Sequence, residues 1–171
     1  TLELLEGSAQ PFFGYVHLNA CHFPFPPELR DAAYMAEFGF DYDEEARQAA
    51  GVNFTPSGVK TAILRDEVAL TDDDVRFLNL VYEAQLRWVD RRQVGRIVRA
   101  LRKADRYDET LLILTADHGE ELYDHAGYGH GHALWEEVIR VPLIVKFPGQ
   151  AEGRRVRGPA QHIDILPTVL D

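Results

Sequence analysis

Four aliphatic residues in a row, Leu111-Leu112-Ile113-Leu114, stand between Thr110 and Thr115 and open at once into Ala116-Asp117-His118-Gly119-Glu120-Glu121. No other feature limits the fold as much. An unbroken apolar run of this length is the pattern of a strand covered on both faces, as in parallel α/β sheets. The polar turn just past its carboxyl end lies where open α/β sheets bind their ligands. The other elements agree with this reading. Phe12-Phe13-Gly14-Tyr15-Val16-His17-Leu18 reads as a second buried strand, and residues 141–147 as a third, interrupted early by Pro142. Short helices are expected over residues 1–6, 134–139 and 163–170, the last with Pro167 in its first turns.

The longest element is a helix over residues 72–103. Thr71 supplies a capping oxygen, and Asp72, Asp73 and Asp74 place carboxylates at its positive end. Leu78, Val81, Gln85, Trp88 and Val89, then Val94, Ile97, Val98 and Leu101, draw an apolar stripe along it. Arg87, Arg91, Arg92, Arg96, Arg99, Arg102 and Lys103 fall around its other faces and read as a solvated surface. Helices alternating with apolar strands predict an α/β layered domain with a largely parallel sheet. Residues 26–74 mix proline, glycine, aromatic and acidic residues without a period and are expected to form an excursion with one or two short helices.

With 171 residues, 46% of them hydrophobic, the chain can bury a core as one unit. The net charge of −10 argues against nucleic acid or an anionic membrane as a partner. No apolar run approaches the roughly 20 residues a membrane-spanning helix needs. The one cysteine, Cys21, can form neither an intrachain disulfide nor a thiolate zinc cage.

Asp117 and His118, side by side past the strand with Gly119 allowing a sharp turn, are candidates to share one divalent cation. The plain alternative is that Asp117 caps the next element and His118 is an ordinary polar residue. Four of the seven histidines, His118, His125, His130 and His132, crowd this one loop, with Gly127, Gly129 and Gly131 between them. Imidazoles there can bind metal, meet an oxyanion or move protons. His125 and His132 are as readily loop residues as ligands.

Three segments in order, Thr-Ala-Asp-His-Gly-Glu at 115–120, Gly-His-Gly-His-Ala-Leu-Trp-Glu-Glu-Val-Ile-Arg-Val-Pro at 129–142 and His-Ile-Asp-Ile-Leu-Pro-Thr at 162–168, resemble the sulfatase and phosphonate monoester hydrolase group of the alkaline phosphatase superfamily. Upstream, residues 12–18 with Cys21-His22-Phe23-Pro24 resemble that group's strand and His-x-Pro turn. The resemblance implies a three-layer α/β/α domain, of which residues 1–171 are one partial catalytic domain, incomplete at its amino-terminal side. It implies that Asp117 and His118 are metal ligands. His22 then contacts the sulfate or its leaving oxygen, and His130 contacts the ester group. Glu136, Arg140 and Asp164 fall in family-typical segments and read as structural ties.

Such enzymes carry a nucleophile made from Cys or Ser in a Cys/Ser-x-Pro-x-Arg motif, or a Ser or Thr, together with an earlier acidic metal pair. Cys21 has its proline one position too late and no arginine, and nothing beside Thr55 or Ser57 supports either of them. The nucleophile and the rest of the catalytic domain are therefore expected outside these residues, and this chain alone is expected to be inactive. The resemblance implies calcium, while the imidazole of His118 moves the choice toward manganese or zinc. The implied substrate is a small-molecule or saccharide sulfate ester. Rival readings are a phosphodiesterase or phosphonate monoester hydrolase of the same superfamily, and a non-catalytic module.

Overall fold

A computed structural model describes residues 11–22, 31–38, 42–49 and 70–171. The helix expected over residues 1–6, the Phe23-Pro24 turn, Thr55 and Ser57 lie outside the described residues. The excursion contributes two short helices, α1 (Ala32–Glu37) and α2 (Glu44–Ala49). α3 (Asp72–Val89) runs through a π-helical turn at Asp90–Val94 into α4 (Gly95–Lys103). The predicted helix over 72–103 is thus continuous but widened at one turn. Strand β1 (Leu112–Thr115) follows, then a hairpin of β2 (Glu121–Leu122) and β3 (Tyr128–Gly129), α5 (Glu136–Ile139), β4 (Leu143–Lys146) and α6 (Ile165–Leu170). None of the described helices is long and apolar enough to cross a membrane.

α3 starts where its sequence dictates. The Thr71 hydroxyl accepts from the Asp74 amide, and the Asp74 carboxylate accepts from the Thr71 amide at 2.7 Å, a reciprocal cap. Asp74 is also fully buried and takes Tyr42 Oη at 2.5 Å and Arg47 Nε at 2.7 Å, so one carboxylate joins the helix start to α2 and its approach. Asp31 plays a similar part for α1. It caps α1 through the Tyr34 amide, its own amide donates to the Ala84 carbonyl of α3, and its carboxylate lies 3.2 Å from Arg91.

The core lies on the inner face of α3. Phe77, Leu78 and Val81 pack with Tyr128 of β3, while Met35, Tyr42, Leu70, Tyr82 and Leu122 close around them. Tyr42 stacks on Phe77 with ring centroids 4.1 Å apart. Tyr128, 2% exposed, is the anchor that fixes the hairpin to the helix.

The α/β class holds, and two details depart from the sequence expectation. Among the described residues both strand pairs are antiparallel: β1 with β4, Thr115 opposite Leu143 and Leu112 opposite Lys146, and β2 with β3. A parallel neighbour needs a crossover to the far end of the sheet. Here the chain leaves β1, makes its loop and returns at the same end. Residues 12–18, read as a buried strand, form no ladder with any described residue and leave Phe13 85% and Tyr15 78% exposed. Their apolar character is that of a covered strand, but among the described residues only the Arg106 guanidinium lies over one of their rings, that of Phe12.

Lys146 secures the far end of β4. Its ammonium donates to the carbonyls of Tyr107, Asp108 and Thr110, the last two at 3.0 and 3.1 Å, and lies over the Tyr107 ring.

Candidate active site

β1 ends at Thr115, whose hydroxyl donates to the Pro142 carbonyl at 2.8 Å and so pins the start of the site loop to its return. Asp117 comes next. Its carboxylate is 76% exposed, with Oδ1 accepting from the His118 amide at 3.1 Å and Oδ2 3.9 Å from His118 Nε2. Desolvation pushes its carboxyl up, but backbone amides and the rings of His118 and His17 outweigh that and hold it below the ordinary value.

Gly119 is where backbone meets backbone. Its amide donates to the Val138 carbonyl at 2.7 Å, and a Cβ there would lie 2.0 Å from the Glu137 carbonyl oxygen. No other residue type allows that approach without a shift. The contact holds the first turn of the loop against α5.

The hairpin register then sets the chemistry. Leu122 pairs with Tyr128 and Glu121 with Gly129, so Glu120 and His130 meet one rung further out. Glu120 Oε1 accepts a short hydrogen bond from His130 Nδ1 and lies 3.8 Å from His118 Nδ1. The Glu120 side chain is only 5% exposed, and its buried Oε2 has no hydrogen-bond partner among the described residues. Gly129 and Gly131, at φ 87° and 82°, bracket His130 in left-handed backbone and let the chain turn its ring inward.

His22 arrives from the opposite side. A 3-10 turn, Asn19–Cys21, packs on α3 through the buried Ala20, and its closing residue is His22. The His22 ring lies 5.0 Å from that of His130 and 6.2 Å from that of His118, and the latter two are 3.9 Å apart. One nitrogen from each of His22, His118 and His130 lies within 4.8 Å of the others. Asp117 stands beside His118 but is not a member of this group of three.

A second tier of residues supports the hairpin. Glu121 is fully buried and accepts from His132 Nε2 at 2.7 Å, from the Gly127 amide at 2.9 Å and from the His125 amide at 3.1 Å. Burial pushes its carboxyl up, but His132 and the two amides outweigh this and leave it below the ordinary value. His125 stacks on Trp135 with centroids 4.2 Å apart, its Nδ1 3.5 Å from Glu137. Both His125 and His132 thus take structural partners. Arg140 and Glu136 form an exposed pair at 4.0 Å, and Asp164 closes a cap by accepting from the Gln161 amide at 2.8 Å. Cys21 is half-buried, and burial raises its thiol pKa, the wrong direction for a thiolate nucleophile.

Glu120 is the residue that sequence reasoning missed. Its signal was present: two adjacent glutamates followed, across a five-residue hairpin turn, by two alternate histidines.

The family model for sulfatases matches residues 1–171. The chain belongs to the sulfatase family. It is 30% identical to the uncharacterized sulfatase YidJ of Escherichia coli over 94% of its own length and 31% of that protein's. It is likewise 30% identical to arylsulfatase K of Canis lupus familiaris, over 97% of this chain and 33% of the relative. Among solved structures, a phosphonate monoester hydrolase from Silicibacter pomeroyi superposes with a TM-score of 0.57 at 32% identity, covering 68% of this chain and 22% of that one. This sulfatase chain thus spans about a third of the length of the curated relatives it matches, and its α/β architecture is that of alkaline-phosphatase-like hydrolases.

The residues present fit a divalent cation. One nitrogen from each of three imidazoles lies within 4.8 Å of the others, and a buried carboxylate oxygen beside them has no partner among the described residues. That is a nitrogen-rich donor set, which suits a borderline transition ion better than a hard one.

Proposed function

We propose that this chain supplies the cation-binding and ester-contacting part of a metal-dependent hydrolase that cleaves sulfate esters. The observation that carries the reading is the convergence of His22, His118 and His130 at the end of β1, with the Asp117 carboxylate beside His118. Asp117 and His118 hold the cation in part, and calcium, manganese and zinc are the candidates. A bound divalent ion supplies Lewis-acid polarisation of the ester oxygen.

The protein's own groups do the rest. Glu120 holds His130 by Nδ1 and orients its ring toward the ester oxygen. His22, near both rings, meets the leaving oxygen. Aimed before reaction begins, such groups stabilise charge as it develops on oxygen. The nucleophile is not assigned to this chain. Exposed apolar side chains at Phe13, Tyr15, Ile144 and Ile163 support the reading that the remainder of a catalytic domain packs here.

A phosphonate monoester substrate is the second reading, favoured by the superposition on a phosphonate monoester hydrolase. The test is turnover of an aryl sulfate against an aryl phosphonate monoester by the enzyme that contains this chain. Asp117→Ala is expected to abolish turnover of the preferred substrate with the fold intact by circular dichroism. Wild-type turnover in that variant would end the assignment.

A further inference from the structure

We propose that Glu121 is a positioning residue for the reaction, fixing where His130 stands by clamping the chain on both sides of it. The inference deepens the hydrolytic reading and rests on it for the contact between His130 and the ester. Ahead of His130, Glu121 Oε1 accepts from the amides of His125 and Gly127 at 3.1 and 2.9 Å. Beyond it, Oε2 accepts from His132 Nε2 at 2.7 Å. Glu121 also faces Gly129 across the hairpin, so a single residue reaches the chain at 125, 127, 129 and 132. His130 is suspended among these ties. Its neighbours Gly129 and Gly131, in left-handed backbone, allow the bend but add no stiffness of their own.

The turn needs such a hold. Tyr123 and Ala126 stand at φ 78° and 61°, left-handed backbone that residues with a Cβ rarely adopt. Conformations of this kind persist where the surrounding structure over-determines them. The two amides bound by Glu121 flank Ala126 directly, which is where that support is required. The clamp is also close-fitting. A Cβ on Gly127 would lie 2.6 and 2.7 Å from the two carboxylate oxygens and 2.8 Å from His132 Nε2. Glu121 is fully buried, and these three donors compensate its charge.

The two adjacent glutamates therefore divide the work. Glu120 holds the His130 ring by Nδ1, and Glu121 holds the backbone that brings the ring to Glu120. A reacting group displaced by about 1 Å loses roughly 100-fold in rate.

The test uses the enzyme that contains this chain, assayed on an aryl sulfate, and proton magnetic resonance of the 171-residue chain. Glu121→Ala is expected to lose about 100-fold in kcat with KM unchanged, the pattern of a group that acts in the transition state. Glu121→Gln is expected to keep kcat near wild type, because its carbonyl oxygen accepts from the same two amides and its amide donates to neutral His132. Gly127→Ala retains the carboxylate but displaces it with a methyl group, and it decides the matter if Glu121→Ala does not fold. The same fall in kcat is expected there. In the chain, the resonance of the His130 Nδ1 hydrogen is expected to move in Glu121→Ala and Gly127→Ala and to stay in Glu121→Gln. Wild-type kcat or an unmoved resonance in either folded variant overturns the proposal. Loss of the fold in both does so too, since Glu121 is then a structural tie alone. Asp117→Ala separates this proposal from the hydrolytic reading. Wild-type turnover in Asp117→Ala ends that reading and leaves the resonance to judge the clamp, whereas turnover lost in Asp117→Ala but intact in Gly127→Ala ends the clamp alone.

Discussion

The amide of Gly119 donates to the carbonyl of Val138 at 2.7 Å, so the turn that carries Asp117 and His118 is fastened to α5 by backbone alone. A methyl group at position 119 would meet the Glu137 carbonyl oxygen at 2.0 Å, and a carbonyl cannot swing aside as a side chain can. Gly119→Ala is therefore expected to cost about 1–3 kcal/mol, the range for forced overpacking. Urea unfolding followed by circular dichroism reads this directly. An unchanged midpoint would show that the approach is looser than described.

Asp74 makes stability depend on acid. Burial pushes its carboxyl up, but Arg47, Tyr42 and Thr71 outweigh that and hold it well below the ordinary carboxylate range. A group whose folded pKa is depressed stabilises fully above its unfolded pKa, about 3.9, and loses that contribution as pH falls toward the folded value. Glu121 is shifted in the same direction and acts the same way. Unfolding free energy is expected to fall as the pH drops below about 4. In Asp74→Asn this acid dependence flattens, and stability at pH 7 drops by about 3 kcal/mol, the low end for a broken buried pair because Arg47 stays partly solvated. Equal slopes in variant and wild type between pH 7 and pH 3 would refute the linkage.

Gln85 offers a change in the opposite direction. It is fully buried on the α3 stripe, and neither its Oε1 nor its Nε2 has a hydrogen-bond partner among the described residues. Leaving a buried amide unpaired costs about 1–3 kcal/mol, so Gln85→Met, similar in shape and apolar, is expected to raise stability by about 1 kcal/mol. Thermal unfolding of the variant measures it, and a lower midpoint would mean that the amide is in fact satisfied.

The parts of this fold that local chemistry controls were legible in the sequence. Thr71 and Asp74 announced the helix start, and Leu111–Leu114 the strand before the site. Even the π turn left a trace, since the apolar stripe steps five residues from Val89 to Val94 where an α-helix would step three or four. Sheet direction was not legible, because an apolar run reports burial and not which neighbour will pair with it. Residues 12–18 show the same limit: composition marks a covered strand, while among the described residues Phe13 and Tyr15 stand exposed. In the site, His118 was singled out by type and position, and His22 and His130 by the family resemblance. Glu120 was not, because in sequence a glutamate next to another glutamate looks like solvated charge, and only the hairpin register brings it opposite an imidazole.

Thr115 and Leu143 face each other on one rung of the β1–β4 ladder, so residues 116–142 leave and re-enter the sheet through a single doorway. The segment behaves as a lariat whose knot is tied by the ladder, while the Gly119–Val138 bond and the buried ring of Tyr128 cinch the loop from within. A change outside the loop therefore reaches His118 and His130 through the ladder and those two ties.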